Sequence, residues 1–190
     1  MVDWDQIWEF HAPFHKNGIS NIPLKNGKTL QLKPGAGFGD LSHPTTQLCL
    51  DMLSDASPRE ICIDIGTGTG ILAIAAALFG AKKVYAYEID PDAICHAKEN
   101  IALNKLTQVI TLNPPTPPTS FDLVIINMIA SEQKIALEAL PFLEDHPHTR
   151  IVSGILSAKE QDYFDEFGLT PPAKRKTLGE WACYSFKAAK

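Results

Sequence analysis

The chain has no long apolar run: none of its hydrophobic stretches approaches the ~20 residues needed to cross a bilayer, and no cationic-then-apolar leader stands at Met1. The expectation is a cytoplasmic protein that engages no membrane. Cysteine is scarce. Cys49, Cys62, Cys95 and Cys183 are far apart, form no C-x-x-C pair, and three of them sit within apolar runs, the pattern of reduced, buried thiols. Positive charge is not in excess either. With 17 Lys and Arg against 22 Asp and Glu, the net charge of −5 speaks against gripping nucleic-acid backbones by bulk charge and leaves a basic partner acceptable. The basic triplet Lys174-Arg175-Lys176 reads as a solvated face. Repeats and low-complexity tracts are absent, and 190 residues suit one domain. Residues 1–190 are therefore expected to form a single unit, with an N-terminal helix and hairpin (1–32) packed on a core (33–190). His11 and His15 lie one helical turn apart, but Pro13 between them breaks a regular helix, so no metal site is expected.

What is present is concentrated between Glu60 and Asn104. An apolar, β-branched run, Ile61-Cys62-Ile63-Asp64-Ile65, gives way to Gly66-Thr67-Gly68-Thr69-Gly70 and then to the apolar stretch Ile71 to Phe79. That succession predicts strand, tight turn and helix. Glycines at 66, 68 and 70 allow backbone N–H groups to approach a ligand, and the following helix is expected to offer its N-terminal donors. The apolar stretch from Val84 forms the next strand, which Glu88 ends, at about the distance where an acidic side chain meets ribose hydroxyls in a dinucleotide fold. A nicotinamide-dependent oxidoreductase is thus one reading. Against it, the dinucleotide fingerprint G-x-G-x-x-G is not matched, because the pattern here is Asp64-x-Gly-x-Gly-x-Gly followed by Ile71.

Other segments supply the frame. Trp4, Ile7, Trp8 and Phe10 predict a short amphipathic helix, and Lys25-Asn26-Gly27-Lys28 centres a hairpin over Ile19 to Leu32. The glycine-dense loop Lys33 to Thr46 leads into a helix started by Ser42 and Pro44, and reads as a mobile ligand loop. Asp90-Pro91 caps a packing helix through Asn104, on which His96 reads as a surface or helix-face residue. Asn113-Pro114-Pro115 fixes a loop. Phe121 to Ile126 is a buried parallel strand ending at Asn127, at the strand terminus where open α/β sheets hold ligands. A helix from Ser131 to Leu143, a strand Arg150 to Ser153, a helix Ala158 to Phe167 and a pair Lys174 to Thr177 and Trp181 to Phe186 complete the chain. The alternation predicts a doubly wound, mostly parallel sheet closed by an antiparallel hairpin.

The glycine turn resembles the first motif of the seven-strand S-adenosylmethionine-dependent methyltransferases. The loop Phe38-Gly39-x-x-x-His43-Pro44-Thr45-Thr46, with Ile126-Asn127-Met128-Ile129-Ala130, Ser153-Gly154-Ile155-Leu156 and Gly179-Glu180-Trp181, is similar to the catalytic domain of the ribosomal protein L11 methyltransferase family. Asp3-Trp4, Trp8 and Phe10-His11-Ala12-Pro13 resemble that family's linker helix. Two departures stand out: Gly39-Asp40-Leu41 replaces a usual Gly-Thr-Gly, and the family's separate N-terminal recognition domain has no counterpart here. The resemblance implies a class I methyltransferase fold of seven strands, with S-adenosylmethionine as cofactor. It also implies methyl transfer by in-line displacement to an amine of a protein, a ribosomal protein above all, by a monomer. It carries Thr46, Gly66, Glu88 and Asn127 to the cofactor, together with Gly68 and Gly70 of the same turn. On the acceptor side, the amide oxygen of Asn127 or a backbone carbonyl is the candidate to orient the amine lone pair, and Phe38 and Trp181 are read as walls around the methyl group. A catalytically silent S-adenosylmethionine-binding module remains a second alternative beside the oxidoreductase.

Overall fold

A computed structural model describes residues 8–10, 12–56, 60–144 and 147–187. Most of the predicted N-terminal helix, and His11, lie outside them; Trp8 to Phe10 are helical, and the Ala12 N–H reaches the Trp8 carbonyl at 2.9 Å. Three short strands follow, β1 (His15–Lys16), β2 (Ile19–Pro23) and β3 (Thr29–Leu32), paired antiparallel in that order. The expected turn closes β2 onto β3: Gly27 has φ +81°, and the Leu24 N–H donates to Lys28 O at 2.8 Å.

Helix α1 (Pro44–Ala56) then leads to β4 (Ile61–Ile65), α2 (Ile71–Phe79), β5 (Lys83–Tyr87), α3 (Pro91–Leu103), β6 (Ile110–Leu112), β7 (Leu123–Asn127), α4 (Ala130–Ala139), β8 (Thr149–Leu156), α5 (Glu160–Glu166), β9 (Lys174–Leu178) and β10 (Trp181–Phe186). The main sheet has the order β6-β5-β4-β7-β8-β10-β9. β4, β5, β6, β7 and β8 run parallel, while β10 is antiparallel to both β8 and β9. Alternation within β4 divides the core: Cys62 faces α1 and α2, whereas Ile63 and Ile65 join Val124, Ile126 and Leu143 beneath α4. Each such fully buried Ile contributes about 1.5–3 kcal/mol. Leu30 and Leu32 of the small sheet share the first core with Leu72 and Ala73, so the N-terminal hairpin rests on α2 and α3 rather than standing apart. Among the described residues, no helix is long and apolar enough to cross a membrane.

Several boundaries differ from the sequence reading. β5 stops at Tyr87, which leaves Glu88 in the loop beyond the strand. α4 ends at Ala139 and a 3₁₀ turn covers Pro141–Glu144, because proline cannot continue the preceding hydrogen-bond ladder. β8 runs on to Leu156. The triplet Lys174-Arg175-Lys176 lies on the solvated face expected, with Lys174 and Arg175 exposed, and it is tied down by ion pairs: Lys176 reaches Asp51 and, at 2.9 Å, Asp55 of α1, and Arg175 pairs with Glu160 at 2.8 Å. Cys49, Cys62 and Cys183 are buried free thiols, whereas Cys95 is exposed.

Candidate functional site

Parallel strands leave their carboxyl ends on one edge of the sheet, and there β4, β5 and β7 open onto a cleft of about 700 Å³. The glycine turn after β4 forms its floor. Gly66 and Thr67 N–H groups donate to Tyr87 O at 2.9 and 3.0 Å, and the Gly68 N–H donates to Glu88 Oε2 at 3.0 Å. Gly68, at φ +56°, is glycine for a packing reason: a Cβ there would stand 2.4 Å from the Phe38 carbonyl oxygen. That oxygen accepts from the Thr69 N–H at 2.9 Å, and Thr69 Oγ1 donates to Gly39 O at 3.0 Å. The turn and the loop before α1 are thus locked backbone to backbone. Gly66 and Gly68 line the cleft, while Gly70 sits off it, facing Ala97 of α3.

The expectation that α2 offers free N-terminal donors is overturned. Thr69 Oγ1 accepts from the Ile71 N–H at 3.2 Å, and Asp64 Oδ2 accepts from the Ala73 N–H at 3.1 Å and from Thr67 Oγ1 at 2.6 Å. With the Ile71 and Ala73 N–H groups already taken by side chains of the same segment, the helix start offers a pyrophosphate few donors. Asp64 is fully buried. Desolvation is the main force raising its pKa, to about 7, with Glu88 nearby adding to it and the Thr67 and Ala73 bonds opposing.

Glu88 lines the cleft and its carboxylate is held in place: beyond the Gly68 bond, Oε1 accepts from the Ile89 and Asp90 N–H groups at 2.8 and 3.1 Å. Its backbone is gripped in turn by Asn113, whose Oδ1 accepts from the Glu88 N–H at 2.9 Å and whose Nδ2 donates to Glu88 O at 2.8 Å. Asn113 also lines the cleft, at φ +45°. The sequence reading treated it as a mere loop former. The available signal was an Asn directly after β6, since asparagine tolerates this backbone region and carries both donor and acceptor.

Asn127 ends β7 and lines the opposite wall. It is 9% exposed, and its Oδ1 is buried without a hydrogen-bond partner, an acceptor held at the cleft. Phe38 and Trp181 both line the cleft, and each packs against a third lining residue, His43. The His43 ring lies edge-on to both, with centroids at 5.5 and 4.9 Å, and its Nδ1 contacts Thr45 Oγ1 at 2.8 Å. Thr45 faces the cleft; Thr46 is one step deeper, fully buried with its hydroxyl unpartnered and off the lining.

His96 requires a second correction. It is buried at 6% exposure, not on a helix surface. Nδ1 accepts from the Gly37 N–H at 3.0 Å, which places the proton on Nε2, 2.7 Å from Lys33 O. The loop from Lys33 is therefore clasped onto α3, and Asn100 Oδ1 adds a bond from the Lys33 N–H at 2.8 Å. His15, by contrast, is used in the small sheet, with Nδ1 at 3.0 Å from Ser20 Oγ. Among the described lining residues, Glu88, Asp90 and Glu132 are acidic and none is Lys or Arg.

Sheet order, the terminal antiparallel strand and a cleft built on a glycine turn define the class I methyltransferase fold. The chain belongs to the ribosomal protein L11 methyltransferase (PrmA) family, whose model matches residues 17–189. It is 37% identical over 199 residues to a ribosomal protein L11 methyltransferase of Geobacter metallireducens, covering 98% of this chain and 66% of that one. A relative of the same description from Carboxydothermus hydrogenoformans is 40% identical over 163 residues, covering 81% and 53%. The chain thus spans between about half and two thirds of these relatives. Among solved structures, the ribosomal protein L11 methylase of Lactobacillus delbrueckii subsp. bulgaricus superposes with a TM-score of 0.69 at 30% identity, over 88% of this chain and 89% of that one. M. capricolum TrmK, solved with S-adenosyl-homocysteine, shares the fold at 15% identity and a TM-score of 0.59, over 74% and 67%.

Proposed function

We propose that the chain is an S-adenosylmethionine-dependent methyltransferase acting on an amine of a ribosomal protein, L11 by kinship. The observation that carries this reading is Asn127, which lines a cleft floored by the glycine turn and whose Oδ1 is buried and unpartnered. The residues present fit the cofactor: the cleft lies within the range of about 300–1,000 Å³ that suits small molecules. Glu88 Oε2 takes a single backbone N–H, which leaves it acceptor capacity for ribose hydroxyls. When bound, S-adenosylmethionine supplies a methyl group on a positively charged sulfur. Glu88 holds the ribose edge, with Gly66 and Gly68 admitting close backbone approach. Phe38, His43 and Trp181 exclude water and present aromatic faces toward a cation. Asn127 Oδ1 accepts an N–H of the acceptor amine and so orients its lone pair; the work is positioning. An amide oxygen does not take up a proton at neutral pH, so the acceptor must arrive as the free amine.

An acidic lining without Lys or Arg suits a basic protein segment and disfavours a phosphate backbone, in line with the net charge of −5. In this reading the chain works as a monomer in the cytoplasm, as one catalytic domain. The test is incubation with purified ribosomal protein L11 and labelled S-adenosylmethionine, followed by mass spectrometry of the product. Label on a lysine or on the N-terminal amine is expected. No transfer to L11 or to any protein in an extract, despite measurable cofactor binding, would favour the silent module instead.

A further inference from the structure

Beyond Asn127, the backbone that carries it has to be held, and the ladder of β7 with β8 ends at the pair Asn127 and Ser153. The next carbonyl, of Met128, has no strand partner. One fully buried side chain takes it over. Gln133 of α4 is 0% exposed, and its Nε2 donates to Met128 O at 2.7 Å and to Ser153 O at 3.1 Å. Its Oε1 accepts from Tyr163 Oη at 2.7 Å, which fixes which end of the amide points at the two carbonyls. Burial holds the Tyr163 phenol well above its ordinary value, so it stays a donor. From the other side, Gly154, at φ +91°, lets the Met128 carbonyl close in: a Cβ there would stand 2.0 Å from that oxygen. Gln133 thus has both amide protons and its oxygen engaged, and the Asn127-Met128 turn is pinned between α4 and β8.

We infer that Gln133 is the positioning residue of the acceptor side. It touches neither cofactor nor acceptor, and acts by fixing the Met128 carbonyl and hence the direction of Asn127 Oδ1, with Tyr163 orienting it. The inference rests on the amine methyltransferase reading for its kinetic consequence, while the clasp itself is observable without turnover.

The experiment uses the full chain with Gln133→Met, which keeps length and burial but removes both donors, and Tyr163→Phe, which leaves Gln133 in place but unoriented. Ribosomal protein L11 is the methyl acceptor and S-adenosylhomocysteine the calorimetric probe. For Gln133→Met, kcat is expected to fall about ten- to a hundredfold, with KM for S-adenosylmethionine and the Kd of S-adenosylhomocysteine within about twofold of the parent. Amide exchange should quicken at Met128, Ile129 and Ala130 and stay unchanged at Gly66 to Gly70. A parental kcat with parental exchange overturns the inference, as does a fall in cofactor affinity in step with activity, the mark of a merely structural role. If Gln133→Met does not fold, Tyr163→Phe decides: faster exchange at Met128 with a fall in kcat of about threefold supports the clasp, and no change in either refutes it. If the parent itself methylates nothing, the methyltransferase reading has failed, and the exchange data alone still decide whether Gln133 holds the turn.

Discussion

Asn127 concentrates the chemistry of the site in one atom. A buried acceptor without a partner costs stability until a donor arrives, so its retention favours a ligand that brings an N–H. Asn127→Ala is expected to reduce methyl transfer about a hundredfold, near 2.7 kcal/mol, while S-adenosylhomocysteine affinity and thermal stability hold. Normal turnover at saturation would remove the residue from catalysis. Asp64 makes the second residue-scale prediction. Its carboxyl titrates near 7 in the folded chain against 3.8 ordinarily, so between those values the folded state binds the proton that the unfolded state has lost. Its contribution is therefore fully favourable below about pH 4 and declines as pH rises through about 7. Asp64→Asn should flatten that decline. Urea midpoints of parent and variant from pH 4.5 to 7.5 provide the check, and parallel curves would refute it.

At the scale of elements, the loop between β3 and α1 is less free than its glycine content suggests. Glycines lower the cost of close contact as readily as they raise mobility, and here they let the loop lie on the His96 ring and on the glycine turn. Leu41 takes φ +74° and offsets that strain by burying its side chain. The clasp predicts a pH response. Burial lowers the His96 pKa, with the Lys33 carbonyl and Glu99 opposing. The unfolded chain then binds a proton more readily near pH 6, so this contribution to stability is present above the ordinary histidine value and is lost as pH falls below it. Protonated Nδ1 cannot accept from Gly37. Amide protection at Gly37 and Thr69 is expected to drop between pH 7 and 5.5, and His96→Gln should blunt the change; constant protection would rule the clasp out.

At the scale of the molecule, a ligand that binds only the folded chain stabilises it by mass action, about 2.7 kcal/mol at a hundredfold excess over Kd. For a chain of this size that corresponds to a rise in Tm of roughly 5–11 °C. S-adenosylhomocysteine should produce such a shift and NAD none, because Asp64 and Thr69 already occupy the start of α2. Equal shifts would reopen the oxidoreductase reading. The order of strands and helices, the glycine turn, the acid after β5 and Asn127 at the end of β7 were determined by the sequence alone. Periodicity, turn residues and strand ends are local properties, legible within a few residues of each other. His43, His96, Asn113 and Gln133 were decided only by the tertiary structure. His43 finds its ring partners Phe38 and Trp181 only where α1 meets the start of β10. For the other three, the hydrogen-bond partners are mostly backbone N–H and carbonyl groups of distant segments: Lys33 and Gly37 for His96, Glu88 for Asn113, Met128 and Ser153 for Gln133. Backbone groups are the same at nearly every position, so no residue pattern announces which of them a side chain will meet; only the packing of the sheet against its helices selects them.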